Sequence, residues 1–363
     1  MKLKILIPTV LLSLILALCV FFYFSSHRAT AINEEASVVE KSAALAKETG
    51  QVGEQIEPEG QKMEEVSFTT ISISVAGDCT LGFDERRGYG NSFSHEFERQ
   101  QQDYGFFLQK VKHIFAESDL SLVNLEGALT DSKVHADKSF VFRGPPDFAR
   151  ILAAGNIDAV NLANNHTFDY LEQGYRDTLR ALRGAGIGYF GNEKVYATTI
   201  KGINIKLLGF TQWEAMGSTQ KILTQIEEAK FDADLVIVSF HWGDEYAYHP
   251  NDFQKTMGRL AIDSGADLVW GHHPHVLQGI EGYEGRNIVY SLGNFSFGGN
   301  RNPSDRDTII FQQVFEFSNG MLSGVDYKII PCSISSVSER NNFQPIPLSG
   351  AEGERVIRKV LGP

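Results

Sequence analysis

Histidines are concentrated in one short segment of the chain, Gly271-His272-His273-Pro274-His275. Imidazole nitrogens bind Mn²⁺, Fe and Zn²⁺ when carboxylate and amide oxygens complete the coordination sphere. Two such ions would need a bridging carboxylate, and they could activate a water molecule to attack phosphorus or a carbonyl carbon. Groups of the required types occur in Gly77-Asp78-Cys79-Thr80-Leu81-Gly82, Asn124-Leu125-Glu126-Gly127, Asn164-Asn165-His166-Thr167-Phe168-Asp169 and His241-Trp242-Gly243-Asp244-Glu245.

The residues around these segments predict where they lie in a fold. From Phe68 onward, strand-like and helix-like patterns alternate, which is typical of a layered α/β fold with a mostly parallel central sheet. The last strands follow one another without helices and predict C-terminal antiparallel strands. In open α/β sheets ligands bind beyond the carboxyl ends of strands. We therefore expect the candidate groups to converge at the carboxyl ends of the predicted strands that they follow. These strands are Thr69–Ala76, Leu120–Leu125, Ala159–Ala163, Leu235–Phe240 and Asp267–Trp270.

Each candidate also has an ordinary structural interpretation. Asp78 could cap the segment after its strand, and the Asn164-Asn165 pair could form a turn. Glu126 could be a solvated loop residue, and a single histidine such as His166 or His241 is often only structural. Which of the three clustered histidines bind metal stays open.

Other chemistries are disfavoured. Cys79 has no identifiable base beside it, which argues against a cysteine nucleophile. The sequence has no Gly-x-Ser-x-Gly elbow, and three cysteines make no thiolate cluster or disulfide framework. The chain has 363 residues and a formal net charge of −12, which argues against a nucleic-acid partner.

The N-terminal region predicts a membrane anchor. The run from Ile5 to Phe24 is uncharged and long enough to cross a bilayer, and Lys2 and Lys4 before it place the N-terminus inside. The alternative is a signal peptide cleaved near Ala29-Thr30-Ala31. We therefore divide the chain into an anchor (1–31), an acidic flexible linker (32–66), a folded domain (67–335) and a C-terminal tail (336–363).

Several ordered strings resemble the CapA/PgsA capsule protein family, which is tied to poly-γ-glutamate synthesis and export. That family is similar in fold to calcineurin-like metallophosphoesterases, so the resemblance implies a layered α/β sandwich. It covers roughly Ser72 to Ile330, and the anchor also matches the family's usual layout. The strings are Leu162-Ala163-Asn164-Asn165-His166, His241 to Tyr246, Gly271 to Leu277 and Tyr290 to Phe295.

The resemblance implies roles for individual residues. Asp78 would bind metal after the first strand, and Glu126 would stand where a metallophosphoesterase has its bridging aspartate. Asn165 would bind metal, and His166 would be the acid that protonates the leaving group. The remaining metal ligands would be His241, then His275, with His273 or His272 next.

The chain also departs from the superfamily pattern. An Asp-x-His usually follows the first strand, whereas here Asp78 is followed by Cys79 and Thr80. Glu126 replaces the bridging aspartate. These departures favour one metal ion or a weakened pair over a full two-metal site.

Three further residues are candidates for contacting the substrate. The guanidinium of Arg143 could hold a carboxylate or phosphate with two hydrogen bonds, although it could equally be an ordinary surface arginine. Asn124 and Asn294 follow or lie near strand ends and could line the site, and Asn294 could instead form a turn.

The leading hypothesis is a membrane-anchored, extracytoplasmic component of poly-γ-glutamate capsule synthesis or export. It would work at the cell membrane with synthase or export subunits, on an acidic polymer or a phosphoester. An acidic domain is a poor receptor for a polyanion unless a metal ion or local arginines mediate the contact. The alternatives are a metal-dependent hydrolase of a phosphoester or amide unrelated to capsule, and a catalytically inactive scaffold.

Overall fold

The computed structural model describes residues 66–362. The predicted anchor and almost all of the predicted linker lie outside the described residues. Within 66–362, no helix combines the length and the apolar character needed to cross a membrane. The described residues belong to one compact unit.

Sixteen strands and eight α-helices make up the described part of the chain. The strands are β1 (Phe68–Thr80), β2 (Leu120–Leu125), β3 (Ala128–Leu129), β4 (Arg143–Gly144), β5 (Ala159–Asn161), β6 (Gly188–Phe190), β7 (Tyr196–Ile200), β8 (Ile203–Thr211), β9 (Leu235–His241), β10 (Leu268–His272), β11 (Ile280–Tyr283), β12 (Arg286–Val289), β13 (Asn294–Phe297), β14 (Asp307–Ser318), β15 (Met321–Ser333) and β16 (Ile346–Pro347). The helices are α1 (Phe93–Arg99), α2 (Lys112–Ala116), α3 (Ala149–Ala154), α4 (Leu171–Gly184), α5 (Gln212–Gly217), α6 (Thr219–Phe231), α7 (Asp252–Asp263) and α8 (Gly350–Leu361).

Fourteen strands form two mixed sheets, and β3 and β4 form a separate parallel pair. In the larger sheet the order is β16-β15-β14-β1-β2-β5-β6, and β13 pairs with β1. Here β1, β2, β5 and β6 are parallel, whereas β14, β15 and β16 are antiparallel. In the second sheet the order is β11-β12-β10-β9-β8-β7, with β8, β9, β10 and β12 parallel.

The two sheets pack face to face around a common core. Ile73 and Leu122 of the larger sheet belong to the same buried cluster as Ile205, Ile237 and Trp270 of the second sheet. All seven residues of β9 are buried, as expected for a parallel strand covered on both faces.

Helices cover the outer face of each sheet. Helix α4 has Tyr175, Leu179 and Leu182 at helical spacing, and these residues pack in a cluster with Val160 of the larger sheet. Ile226 of α6 belongs to the corresponding cluster on the second sheet. The molecule is therefore a helix–sheet–sheet–helix sandwich, and the predicted layered α/β class is confirmed.

The C-terminal residues complete this sandwich. Residues 336–363, which the sequence sets apart as a tail, include β16 and α8. Val356 and Val360 of α8 are buried in the core between the sheets. The sequence predicts one mostly parallel central sheet, whereas the parallel strands are divided between two sheets. Each of these sheets buries an apolar face against the other.

Candidate metal centre

Three polar side chains lie in a row across the parallel strands of the larger sheet. Asp78 of β1 is opposite Asn124 of β2, which is opposite Asn161 of β5. Asn161 Nδ2 donates to Asn124 Oδ1 at 3.0 Å, and Asn124 Nδ2 donates to Asp78 Oδ1 at 2.8 Å. All three residues are fully buried. This row of amides fixes the orientation of the Asp78 carboxylate.

Asp78 is also held from the β13 side by a close backbone approach. Its N–H donates to the carbonyl of Gly293 at 3.0 Å. A Cβ atom at Gly77 would lie 2.0 Å from that same carbonyl oxygen, so only glycine fits there.

The second sheet brings histidines to the same place. His241 ends β9 and lies directly opposite His272, which ends β10. The chain then turns through His273 and His275, whose φ angles are 97° and 58°. Positive φ is costly for residues other than glycine, and at a histidine it needs support from the surrounding structure. The turn places His275 Nδ1 3.3 Å from Asp78 Oδ2.

Asp78 therefore lies between the two sheets and is surrounded by imidazoles. His272 Nδ1 is 3.2 Å from Asp78 Oδ1, although it is not aligned for a hydrogen bond. Burial alone would raise the pKa of Asp78, but the His272 and His275 rings hold it well below its ordinary value. The carboxylate is thus ionised and able to bind a cation.

Glu126 follows β2 and is fully buried beside this carboxylate. Neither of its carboxylate oxygens has a hydrogen-bond partner among the described residues. Burial and the nearby charge of Asp78 raise the pKa of Glu126 well above its ordinary value. A buried carboxyl group without partners is unfavourable unless another charge compensates it.

The pKa values of the clustered histidines shift in opposite directions. Burial acts to lower the pKa of His275, but the charges of Glu126 and Asp78 raise it to about 9. Burial lowers the pKa of His273 to about 4, and the neighbouring His275 adds to this effect. Burial also lowers the pKa of His241 well below its ordinary value. His273 and His241 are therefore neutral imidazoles, which is the form that binds metals, whereas His275 would have to release its proton to bind one.

The chemistry of these groups fits a divalent metal ion. Ligand atoms of Asp78, Glu126 and His275 lie within 4.8 Å of one another, and so do those of Glu245, His273 and His275. His275 is common to both groups. The buried atoms that lack a partner among residues 66–362 include both oxygens of Glu126, both ring nitrogens of His272, and Nδ1 of His241 and His273. A cation would satisfy several of these atoms at once.

Asn165 extends from the loop after β5 towards the histidines. Its side-chain oxygen accepts a hydrogen bond of 2.9 Å from His241 Nε2. Asn164 does not face the histidines: its Nδ2 donates to Leu125 O at 2.9 Å and to Asn124 Oδ1 at 3.2 Å. The two asparagines thus differ in position, since Asn164 supports the loop and Asn165 reaches the candidate centre.

His166 is oriented by a buried acid. Its Nδ1 lies 2.6 Å from Asp169 Oδ2, and the same oxygen accepts from Phe142 N at 2.7 Å. Lys138 Nζ is 2.6 Å from the other oxygen of Asp169. The opposite ring nitrogen, His166 Nε2, is 3.8 Å from Glu126 Oε1. Burial lowers the pKa of His166, and Asp169 opposes that effect.

A cleft of about 440 Å³ opens next to these residues. His166, Glu245 and His275 are among the residues that line it. Phe83, Phe140, Phe142 and Phe297 form aromatic walls, and Arg87 and Arg301 line it as well. The cleft is large enough for a small-molecule group or a segment of a chain.

The three residues predicted to contact substrate lie in different surroundings. Arg143 does not line the cleft: its guanidinium donates to Thr130 O at 2.8 Å and pairs with Glu85 at 2.5 Å. Asn124 belongs to the buried row beside Asp78. Asn294 Oδ1 lies 3.0 Å from His275 Nδ1.

Asp169, Lys138 and Glu245 were not among the residues selected from the sequence. Asp169 and Glu245 lie in the polar segments that follow β5 and β9, and an acid three residues after His166 is the sequence signal for Asp169. Lys138 lies far from His166 in the sequence, and no local pattern links the two. Only the folded chain brings its ammonium group to Asp169.

Comparisons with other sequences identify relatives. Residues 72–299 match the family model described as "Bacterial capsule synthesis protein PGA_cap". The chain is 35% identical over 262 residues to the "PGA biosynthesis protein CapA" of Bacillus subtilis (strain 168), a match that covers 66% of each chain. It is 33% identical over 255 residues to the "Capsule biosynthesis protein CapA" of Bacillus anthracis, with 62% of this chain and 60% of that protein covered. The matches thus span slightly less than two thirds of the relatives' lengths.

The solved structures are less similar to this chain than the sequence relatives are. A hypothetical protein from Thermus thermophilus superposes with a TM-score of 0.43 at 14% identity, covering 72% of this chain and 99% of that one. Similarity at this level supports no argument about activity.

Proposed function

The chain belongs to the bacterial capsule synthesis protein family PGA_cap, and from this premise we propose that it is a metal-dependent hydrolase that acts on the capsule polymer or on a phosphoester intermediate of its synthesis. The resemblance to the CapA/PgsA family supports poly-γ-glutamate as the polymer. The proposal also includes an N-terminal anchor and a position on the outer side of the cell membrane, next to the polymer synthase or export subunits.

One observation carries the hydrolase part of the proposal. Glu126, His241, His272 and His273 are buried at the ends of strands from both sheets, and each has at least one polar atom without a partner among the described residues. A scaffold would gain nothing from buried, unpaired groups, because each one destabilises the fold. A cation held by Asp78, Glu126, Asn165, His241, His273 and His275 accounts for the unpaired atoms of Glu126, His241 and His273.

A divalent ion at this position would act as a Lewis acid and lower the pKa of water. The chain's own contribution is geometric. Asp169 accepts the hydrogen of His166 Nδ1, because a carboxylate can only accept. Nε2 therefore faces Glu126 and the cleft, where a protonated imidazole can donate its proton to the leaving group.

The names of the relatives support the capsule part of the proposal. Both Bacillus proteins are named for capsule or PGA biosynthesis. The membrane part rests on the apolar run from Ile5 to Phe24 after Lys2 and Lys4, which lies outside the described residues.

Metal analysis tests the proposal. The full chain is purified in detergent, and bound Mn, Fe and Zn are measured in the parent and in a variant carrying His241→Ala and His275→Ala. His113→Ala serves as the matched control, because His113 is exposed on α2 and does not line the cleft. We expect one or two equivalents of metal in the parent and the control, and a loss in the double variant whose circular dichroism is unchanged.

Activity is then measured on γ-linked glutamate oligomers and on phosphoesters. Turnover by the metal-loaded parent that is lost in His166→Ala would support the mechanism. A parent that takes up no metal even after reconstitution would contradict the hydrolase and favour an inactive scaffold in capsule assembly.

A further inference from the structure

We infer that the cleft beside the candidate centre is a subsite for a carboxylate-bearing chain, and that Arg87 and Arg301 bind a substrate carboxylate at the end of the cleft away from His275. This inference rests on the proposed function, which supplies a polymer with carboxylates, and it assigns the substrate-recognising residues of the same site.

Arg301 is held rigidly and keeps an uncompensated charge. Its guanidinium donates to three backbone carbonyls, Gly90 O at 2.8 Å, Arg87 O at 3.1 Å and Gly88 O. It forms no ion pair with any acidic side chain in residues 66–362. Main-chain carbonyls orient a guanidinium without neutralising it, so its positive charge remains available to a ligand in the cleft.

Arg87 carries a second available charge. Its guanidinium carbon lies 4.1 Å above the ring of Phe140, and it donates to Ser139 O at 3.1 Å. Asp84 is the nearby acid, at 3.8 Å from Arg87 Nε. However, Asp84 is already engaged by Arg86 through two hydrogen bonds, of 2.9 and 2.7 Å. Asp84 therefore compensates Arg86 and leaves the charge of Arg87 largely unpaired.

Asp84 and Glu245 both line the cleft, and each already has partners. Glu245 lines the cleft, but its carboxylate groups with His273 and His275 at the candidate centre. The His275 ring lies 4.8 Å from the Phe297 ring and the His166 ring 4.3 Å from the Phe142 ring. The two guanidiniums lie instead over Phe140 and Phe83, beside Asp84, whose charge Arg86 compensates. The cleft is thus polarised, with Glu245 and the imidazoles at one end and two guanidiniums at the other. This arrangement removes the difficulty that a net charge of −12 presents for an anionic substrate, because the local charge where the anion would bind is positive.

The walls between the two ends suit an aliphatic segment. Phe83, Phe142 and Phe297 line the cleft, and the Arg301 guanidinium carbon lies 6.0 Å from the centre of the Phe83 ring. Methylene groups of a chain can pack on these rings while a carboxylate reaches the arginines. The structure thus matches a chain whose carboxylate is separated from the group at the centre by a short apolar stem.

Binding measurements on the full-length, metal-loaded protein test this inference. The probe is a synthetic γ-linked glutamate oligomer, and the comparison probe is the same oligomer with its side carboxylates converted to amides. Arg301→Gln, Arg87→Gln and the double variant are compared with Arg176→Gln, an exposed arginine on α4. Arg301→Lys keeps the charge. It serves as the second variant should Arg301→Gln loosen the 87–90 loop.

We expect the double variant to weaken binding of the acidic oligomer roughly 10- to 100-fold, as for the loss of charge-assisted hydrogen bonds. Arg176→Gln should bind like the parent, Arg301→Lys should fall between them, and the amide oligomer should bind weakly to every variant. Equal binding of the acidic oligomer by parent and double variant would overturn the inference. Arginine-dependent binding of inorganic phosphate without binding of the oligomer would overturn it too.

Metal content is measured on the same samples, so that failure of the hydrolase proposal can be distinguished from failure of the subsite proposal. A parent that holds metal but binds the oligomer independently of the arginines leaves the hydrolase standing and removes the subsite. A parent without metal that still binds the oligomer through Arg87 and Arg301 keeps the subsite and removes the hydrolase.

Discussion

His166 and Asp169 are joined by a 2.6 Å contact between Nδ1 and Oδ2, which determines the ring nitrogen that faces the candidate centre. Asp169 is itself fully buried and is held by Phe142 N and Lys138 Nζ. The acid is thus fixed from three directions, and the orientation of the His166 ring follows from it.

We expect Asp169→Asn to lower turnover by about 10- to 100-fold while leaving the metal content unchanged. The substitution removes the negative charge beside His166 and replaces one of the two accepting oxygens by a donating NH2 group, but it removes no metal ligand. The measurement is kcat together with elemental analysis. Asp177→Asn on α4, whose carboxylate accepts from Thr130, is the control for a general loss of stability. A loss of metal equal to the loss of turnover would show that Asp169 acts on the centre rather than on His166.

Glu126→Gln should stabilise the metal-free protein at pH 7 and weaken metal binding. The raised pKa of Glu126 means that the folded state holds a proton that the unfolded state releases, so its stability falls as pH rises above the ordinary glutamate pKa. Glutamine does not ionise, so the variant lacks this loss of stability. The free energies of unfolding of the parent and the variant are measured with urea at pH 4 and pH 7, with a chelator present. A variant that is less stable than the parent at both pH values would contradict the expectation.

Helix α8 is attached to β14 by ion pairs at Asp307. Arg355 donates to Asp307 at 2.8 and 2.5 Å, and Lys359 lies 2.5 Å from the same carboxylate. Burial would raise the pKa of Asp307, but these cations lower it. The stabilisation is therefore present above the unfolded aspartate pKa and is lost as pH falls through the lower, folded value.

We expect Asp307→Asn to lower the free energy of unfolding by about 2 kcal/mol at pH 7. The difference should shrink as the pH approaches 3, and thermal unfolding across this range measures it. Arg358→Gln removes an exposed pair with Glu354 on the same helix and should cost less than about 0.5 kcal/mol. Equal effects of the two substitutions would contradict a structural role for the Asp307 pairs.

Gly77→Ala should destabilise the protein by about 3 kcal/mol and displace Asp78, because the added Cβ meets the Gly293 carbonyl at 2.0 Å. Urea unfolding and metal content together measure both effects. Gly282→Ala in β11 is the control, since a Cβ there meets nothing within 4 Å. A Gly77→Ala protein as stable as the control would show that β1 and β13 can separate without loss.

Much of the fold could be predicted from local patterns. Leu120–Leu125 was predicted as a strand with the bounds that β2 has, because a short apolar run with polar ends has few alternatives. The division into two sheets could not be predicted, since it depends on which strands pair, and pairing joins residues such as Asp78 and Asn294 that are remote in sequence.

The candidate site shows the same limit. Residues at strand ends, such as Asp78 and His241, could be selected because the carboxyl ends of parallel strands carry ligands. The position of Arg143 could not be predicted, because its ion pair with Glu85 depends on the packing of two loops. Arg87 and Arg301 have no local signature, since their available charges result from the backbone carbonyls and aromatic rings around them.

The groups around the candidate centre come from distant parts of the chain, from Asp78 on β1 to His275 after β10. A chain extended only as far as Glu126 carries the two carboxylates but none of the three clustered histidines. Because His275 belongs to both ligand groups, neither group is complete until that residue has been made and the two sheets have closed on each other. We therefore expect metal uptake to be a late event in biogenesis that reports on a finished domain, rather than a template on which the domain is built.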